Sequence, residues 1–143
     1  MKKNIVKILD MQEKYMASVI SLLQSISQFK PNNVTCRELW DSFEKQTNVF
    51  SVVAVIDERV VGYGSIFIIT MVRGGKVAHI EDIVTHDDFQ KMGIGRTIIQ
   101  TLNEIALNKS CYKAVLECKE NTVSFYEKCG YSKDGLTMSK KIG

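Results

Sequence analysis

Residues 90–96 read Gln-Lys-Met-Gly-Ile-Gly-Arg, and they lie between an apolar segment, 77–84, and a stretch with apolar residues at helical spacing. Gly93 and Gly95 have no Cβ atom, so a ligand can approach their backbone closely and positive φ angles cost little. The first turn of the following helix carries unpaired N–H groups and the positive end of the helix dipole. The stretch therefore predicts a loop that binds a pyrophosphate group through main-chain N–H donors.

Two common nucleotide-binding motifs do not fit this loop. A P-loop requires Gly-Lys followed by Ser or Thr, whereas this chain has Gly95-Arg96-Thr97. In a Rossmann fingerprint the third glycine would fall on Ile98, and a short turn would replace the polar stretch 85–91. A Gly-x-Gly pair also occurs in ordinary turns from a strand to a helix, so the interpretation depends on the rest of the chain.

Composition limits the classes of function. The chain has 143 residues, of which 45% are hydrophobic and 24% charged, values typical of one soluble globular domain, and we expect 1–143 to form a single domain. We find no leader sequence and no apolar run long enough to span a bilayer, so we expect a cytoplasmic protein without membrane contact. The net charge is only +3 and the basic residues are scattered, which argues against a nucleic-acid partner. Four cysteines without Cys-x-x-Cys spacing and two histidines predict no metal site.

The order of apolar patterns predicts a mixed α/β fold. A capping box at Thr35-Cys36-Arg37-Glu38 begins the second helix, and Asp57-Glu58-Arg59 turns the chain between two strands. Three antiparallel strands follow one another before the glycine loop, and the long helix after it has one apolar face, with Asn103 among the residues directed away from it. The predicted strands are 5–9, 50–56, 60–69, 77–84, 114–118 and 131–142, and the predicted helices are 15–26, 35–46, 94–106 and 122–128.

This pattern resembles a known enzyme superfamily. The element order, the Gln-x-x-Gly-x-Gly loop and the Asn-x-x-x-Phe-Tyr-x-x-x-Gly pattern of 121–130 are similar to the GNAT superfamily of acetyl-CoA-dependent N-acetyltransferases. Within it, His-Ile-Glu-Asp-Ile-Val at 79–84, Cys-Tyr-Lys at 111–113 and Phe-Tyr-Glu-Lys-Cys-Gly-Tyr at 125–131 resemble the eukaryotic glucosamine 6-phosphate N-acetyltransferases. The resemblance implies an α+β fold with a mostly antiparallel sheet, in which the fourth and fifth strands splay apart. It also implies acetyl transfer to an amino-sugar phosphate by direct attack in a ternary complex, in the metabolism that supplies UDP-N-acetylglucosamine.

The resemblance also implies which residues bind acetyl-CoA. The pantetheine arm would pair with the edge of the fourth strand as an added strand does. Tyr126 is the expected general acid, or hydrogen-bond donor, to the coenzyme A sulfur, since a phenol pKa of about 10 suits a thiolate leaving group. The implied acetyl-CoA contacts are Gln90, Lys91, Met92, Gly93, Ile94, Gly95 and Arg96 for the pyrophosphate, Ile83, Val84 and Thr85 for the arm, and Glu117, Asn121 and Tyr126.

The route of the ammonium proton stays open. Glu81 and Asp82 are neighbours on a strand, so their side chains should point to opposite faces, and we assign no paired-carboxylate mechanism. Glu117 stands where the resembling enzymes usually have Asp, and its main-chain carbonyl is one candidate for accepting the proton, with water as another. An acetyl-cysteine intermediate at Cys118 would need a neighbouring base and a lowered pKa, neither of which is visible, and a buried position is expected.

Recognition of a sugar phosphate requires cations. By resemblance, the substrate contacts are Ser27, Arg73, Glu81, Asp82, Ile83, Tyr112, Lys113 and Lys141, in a site shared across a homodimer that is formed partly by C-terminal strands. Two alternatives remain, namely an acetyltransferase for another amine, such as a polyamine or a protein lysine, and a non-catalytic module that binds coenzyme A.

Overall fold

The computed structural model describes residues 5–27, 29 and 32–143. Its helices and strands follow the predicted order as far as the fourth helix. In chain order they are β1 (Lys7–Asp10), α1 (Met16–Leu23), α2 (Cys36–Glu44), β2 (Val49–Ile56), β3 (Arg59–Met71), β4 (Gly75–Thr85), α3 (Ile94–Asn108), β5 (Lys113–Leu116) and α4 (Val123–Lys128). Short 3₁₀ turns lie at Glu13–Tyr15, Asp87–Phe89 and Glu120–Thr122.

The strands form one mixed sheet in the order β1-β2-β3-β4-β5. Pairing is antiparallel from β1 to β4 and parallel between β4 and β5, which confirms the predicted mostly antiparallel sheet. On one face the apolar side of α3 packs on the strands, where Ile98, Ile99 and Leu102 are completely buried. On the other face α1 contributes Val19 to a second cluster with Tyr63 and Val84. The two clusters hold the middle of the sheet rigid between helices.

Local sequence signals set the ends of α2 and the β2–β3 turn. The Thr35 hydroxyl accepts a hydrogen bond from the Glu38 N–H at 3.1 Å, as a capping box predicts. The predicted return bond from the Glu38 side chain to the Thr35 N–H is absent among the described hydrogen bonds. Asp57 and Glu58 both have positive φ angles, 47° and 65°, which suits the tight turn of a twisted hairpin.

The predicted final strand at 131–142 does not form. The residues after α4 contain no regular element, and Leu136, Met138 and Ile142 are 98%, 94% and 84% exposed. A strand needs a partner for its backbone groups and cover for its apolar face. The outer edge of β5 is unpaired within the described part of the chain, so the apolar alternation of this segment finds no cover within one copy.

Two irregularities of β4 shape the region where the site is expected. Tyr63 pairs with Val84 and Ser65 with Glu81, so two residues of β4, Asp82 and Ile83, lie opposite the single residue Gly64. This is a β-bulge, with Asp82 at a φ of 57°. Pairing between β4 and β5 ends at Ile80 and Leu116, which leaves 81–85 without a neighbour on that side and matches the predicted splay.

Within the described residues, no helix is long and apolar enough to cross a membrane.

Candidate active site

The glycine loop presents a row of free main-chain donors. α3 begins at Ile94, with Gly93 as its N-cap at a φ of 78° and Lys91 at 64°. Among the described residues, the N–H groups of 91–96 donate no hydrogen bond to the backbone. The Gln90 amide donates to the Thr85 carbonyl at 3.0 Å and so ties the loop to the end of β4. A helix start with six free N–H groups fits a bound anion.

The two glycines are required for different reasons. A Cβ atom at Gly93 would have nothing within 4 Å, so only the left-handed backbone demands glycine there. At Gly95 a Cβ atom would lie 3.2 Å from Cζ of Phe125 and 3.6 Å from Oγ1 of Thr85. The edge of the Phe125 ring therefore rests on the glycine backbone, and the loop is packed directly against α4.

The bulge in β4 corrects the expected alternation of side chains. In a regular strand Glu81 and Ile83 would share a face. Here Glu81 lies opposite Ser65, whereas Ile83 packs into the α3 cluster. The two-residue alternation from which opposite faces were expected for Glu81 and Asp82 is therefore interrupted here by the extra residue. The open edge of β4 runs directly from these acids to the glycine loop.

Carboxylates gather at the point where β4 and β5 separate. Both Glu81 and Asp82 reach solvent, but partial burial raises the pKa of each. The negative charges of Asp82 and Glu117 raise the pKa of Glu81 further, and His79 opposes them. Such an acidic cluster is stabilised by a cation, and a substrate ammonium group is one cation it can hold.

Tyr126 is a half-buried phenol on α4. Burial raises its pKa, and the nearby Cys118 and Cys129 thiols raise it further, so the hydroxyl keeps its proton at neutral pH. It lines a cavity of 890 Å³ together with Glu117 and Cys118. Cys118 itself is exposed, because β5 ends at Leu116 and not at 118, so the prediction that this thiol is buried was wrong.

Sequence reasoning missed two residues beside Tyr126. The hydroxyl of Tyr131 donates to Oδ1 of Asn103 at 2.5 Å, although the helical pattern directed Asn103 away from the apolar face. Burial raises the pKa of Tyr131 to about 12. Asn103 directly follows the buried Leu102, and this position at the border of the apolar stripe was the available signal.

The predicted phosphate contacts lie where β4 and β5 begin, and the carboxylates lie toward the other end of these strands. The Arg73 guanidinium donates to the Tyr112 hydroxyl at 3.5 Å, and the Lys113 ammonium pairs with Asp134 at 3.3 Å. Lys113 lies opposite Val77, so this basic end is four residues, or roughly 13 Å, from Glu81 along β4. The structure thus brings Arg73, Tyr112 and Lys113 together, and keeps them apart from Glu81.

Three predicted residues stand outside these groups. The Ser27 hydroxyl donates to the Phe29 carbonyl and accepts from the Phe29 N–H, so it is engaged in a local turn. Asn121 lies exposed in the 3₁₀ turn before α4. Lys141 is exposed in the irregular C-terminal segment, and in a single copy it makes no ion pair with the described residues.

Comparison with known proteins identifies the family. Residues 17–131 match the acetyltransferase (GNAT) family. This chain belongs to the GNAT family. It is 32% identical over 122 residues to glucosamine 6-phosphate N-acetyltransferase 1 of Dictyostelium discoideum, covering 82% of this chain and 78% of that protein. Its structure resembles that of a Trypanosoma brucei acetyltransferase, with a TM-score of 0.87 and 26% identity over 96% of this chain and 100% of that one. It also resembles that of Arabidopsis thaliana glucosamine-6-phosphate N-acetyltransferase, with a TM-score of 0.85 and 26% identity over 97% of this chain and 99% of that one.

Membership of the GNAT family confirms the resemblance inferred from the motifs. The predicted fold is also confirmed, since this chain, with its mixed sheet and parallel β4–β5 pair, matches nearly the whole of both solved structures. The chain is therefore an acyltransferase.

Proposed function

We propose that this chain transfers an acetyl group from acetyl-CoA to the amine of D-glucosamine 6-phosphate, giving N-acetylglucosamine 6-phosphate and coenzyme A. The observation that carries the proposal is the unpaired edge of β4 at 81–85, which has free N–H donors at one end and carboxylates at the other. A thioester laid along this edge would have its phosphates at the loop and its acetyl group near the acids. The relatives in Dictyostelium and Arabidopsis that carry this activity in their names support the choice of amine.

Acetyl-CoA is held mainly by main chain in this proposal. The N–H groups of 91–96 bind the pyrophosphate, with the Arg96 side chain nearby in the first turn of α3. Ile83, Val84 and Thr85 pair with the pantetheine arm as an added strand would. Gln90 contributes by holding the loop against Thr85, and Asn121 and Glu117 border the arm from the β5 side.

The reaction is a direct attack of the amine on the thioester carbonyl. The carboxylates of Glu81, Asp82 and Glu117 attract the substrate ammonium, and its proton leaves to the Glu117 main-chain carbonyl or to water. A C–N bond forms and the C–S bond breaks, while an unpaired N–H on the β4 edge stabilises the oxyanion. The Tyr126 hydroxyl gives its proton, or a hydrogen bond, to the departing sulfur. The second proton, which the nitrogen loses on becoming an amide, passes to the phenolate or to water, so that the phenol is restored.

The phosphate end of the amino sugar is assigned to the basic group of Arg73, Tyr112 and Lys113. Lys113 already pairs with Asp134, but the pair is exposed and worth at most about 1 kcal/mol, so a phosphate dianion can displace it. Because Asp134 neutralises the Lys113 charge, the same pair favours the alternative of an amine substrate without a phosphate, such as a polyamine or a protein lysine. Ser27 and Lys141 are additional contacts by resemblance.

We further propose that the enzyme works as a homodimer. The exposed apolar residues Leu136, Met138 and Ile142 alternate along the C-terminal segment, and the outer edge of β5 is free among the described strands. The same segment from a second copy would pair with that edge and cover its own apolar face. Lys141 of each copy would then be carried toward the neighbouring site.

A panel of amines tests the substrate. Release of coenzyme A would be measured with glucosamine 6-phosphate, glucosamine, spermidine and a lysine peptide. We expect kcat/KM for glucosamine 6-phosphate to exceed that for glucosamine by about 100-fold, which corresponds to one or two charge-assisted phosphate contacts. Equal values for the two sugars would reject phosphate recognition, and a preference for spermidine or the peptide would support the alternative amine. If calorimetry finds acetyl-CoA binding without turnover of any amine, the chain is a binding module.

A further inference from the structure

The helix that carries Tyr126 cannot fix the phenol by itself. α4 has six residues, none of which is buried, and an isolated helix of this length is not stable in water. General acid catalysis requires a donor held within hydrogen-bonding distance of the leaving atom. Contacts with other parts of the chain must therefore help to set the position of the Tyr126 ring.

The Tyr126 ring is held between two aromatic rings. The Phe125 ring lies 4.9 Å away at 77°, and the Tyr131 ring lies 6.3 Å away at 74°, both in the edge-to-face arrangement that aromatic pairs prefer. Phe125 rests on Gly95 of the glycine loop. Tyr131 follows the end of α4 and is the second ring in contact with Tyr126.

Tyr131 is in turn anchored to the rigid core. Its N–H donates to the Tyr126 carbonyl at 3.0 Å, and its hydroxyl donates to Oδ1 of Asn103. Asn103 belongs to α3, where the adjacent Leu102 is fully buried against the sheet. A continuous path of contacts thus leads from the core helix through Asn103 and Tyr131 to the Tyr126 ring.

We propose that Asn103 and Tyr131 are positioning residues, which hold the Tyr126 hydroxyl in place for proton donation to the coenzyme A sulfur. The inference rests on the proposed role of Tyr126 and deepens it. Neither residue needs to touch a substrate. The bond between their side chains links the core helix α3 to the residue that follows α4 and contacts the Tyr126 ring.

Single substitutions separate the hydrogen bond from the packing. Tyr131→Phe keeps the ring contact and removes the hydroxyl, and Asn103→Leu keeps the volume and removes the acceptor. Both should lower kcat about tenfold, since a displacement of 1 Å at a catalytic group can cost up to about 100-fold, with KM for acetyl-CoA changed less than about twofold. Asn103→Asp keeps an acceptor oxygen for the Tyr131 hydroxyl and should restore most of kcat. Tyr15→Phe makes the same chemical change on the opposite face of the sheet and should leave kcat unaltered.

A double-mutant cycle decides whether the pair acts through Tyr126. Tyr126→Phe alone tests the acid role, and it should lower kcat by about 100-fold. In that background, adding Tyr131→Phe should cause no further loss, because there is no proton donor left to position. An equal tenfold loss in both backgrounds would overturn the positioning role and leave the acid role intact, whereas an unchanged kcat in Tyr126→Phe itself would overturn both. Thermal melting of each variant shows whether it is folded. If Tyr131→Phe has a lowered Tm, the test is the comparison of kcat between Asn103→Leu and Asn103→Asp. Equal kcat values in those two variants would reject the inference.

Discussion

Replacing Gly64 by alanine should damage both stability and the β4 edge, because α3 and the bulge meet at this glycine. An added Cβ atom would lie 2.6 Å from Cγ2 of Ile98, 2.7 Å from Cδ1 of Ile83 and 3.2 Å from Cδ1 of Leu102. Ordinary carbon contacts are about 3.5–4.0 Å, so Ile98 and Ile83 must each give way by about 1 Å. Ile98 and Leu102 are completely buried and have no free space to enter.

Overpacking of a tight core typically costs about 1–3 kcal/mol, and two simultaneous close contacts place Gly64→Ala near the upper end. For a chain of this length we expect Tm to fall by about 5–10 °C. Ile83 carries part of the backbone proposed to pair with the pantetheine arm, so KM for acetyl-CoA should rise as well. Urea denaturation gives the free energy of unfolding, and initial rates give KM.

Two further variants make the reasoning refutable. Ile83→Val removes the Cδ1 atom of the second contact, so Gly64→Ala combined with Ile83→Val should be more stable than the sum of the two single changes predicts. Gly74→Ala has no atom within 4 Å of the new Cβ and a φ of 86°, so it should cost about 1 kcal/mol from backbone strain alone and leave KM unchanged. The overpacking argument is wrong if Gly64→Ala is no less stable than Gly74→Ala, or if Ile83→Val gives no relief.

Three other outcomes follow from the site. Gly95→Ala should weaken acetyl-CoA binding about tenfold in calorimetry, because the new Cβ atom presses on Phe125. It should not lower Tm, since alanine favours a helix by about 1 kcal/mol over glycine. An unaltered affinity would show that the loop adapts to the new methyl group. Glu81→Gln should lower activity and raise Tm at pH 7.5. Burial raises the folded pKa of Glu81. The contribution of this carboxyl group to stability is therefore present below the unfolded pKa of about 4.3 and lost as pH rises through the folded value. The gain in Tm should therefore disappear near pH 4, and a gain at every pH would contradict it. Leu136→Asp should convert a dimer to a monomer in light scattering, and a wild-type protein that is already monomeric would reject the dimer.

The long apolar periods made the sheet and α3 predictable. The strands 50–56 and 60–69 were predicted to within a few residues of Val49–Ile56 and Arg59–Met71. Each is a long run of apolar residues that the fold buries, and such runs are a strong sequence signal for a strand. The start of α3 at Ile94 was indicated by the glycine loop, in which Gly93 is the N-cap. In these regions local preference and tertiary packing agree, which is why sequence alone was sufficient.

Prediction failed where a second element decides the outcome. The bulge at Asp82 depends on how β4 meets Gly64 and α3, and no residue of β4 signals it. The strand at 131–142 depends on a partner for the edge of β5, which a single chain does not supply. The bond between Asn103 and Tyr131 joins residues 28 positions apart, a separation at which helical periodicity carries no information. The glycine loop and the acids of β4 were proposed from motifs, whereas the border position of Asn103 gave a signal for that residue alone and not for its bond to Tyr131.

Several features that depart from ordinary packing rules lie in β4 and the glycine loop. Asp82 and Lys91 have positive φ angles without being glycine, the N–H groups of 91–96 have no backbone partner among the described residues, and Glu81 keeps a carboxylate where burial disfavours its charge. Each of these costs free energy in the isolated protein. A ligand that brings phosphates to the loop and an ammonium group to the acids would offset the cost of the free N–H groups and of the Glu81 charge. These two features therefore support the proposed location of the site independently of any relative.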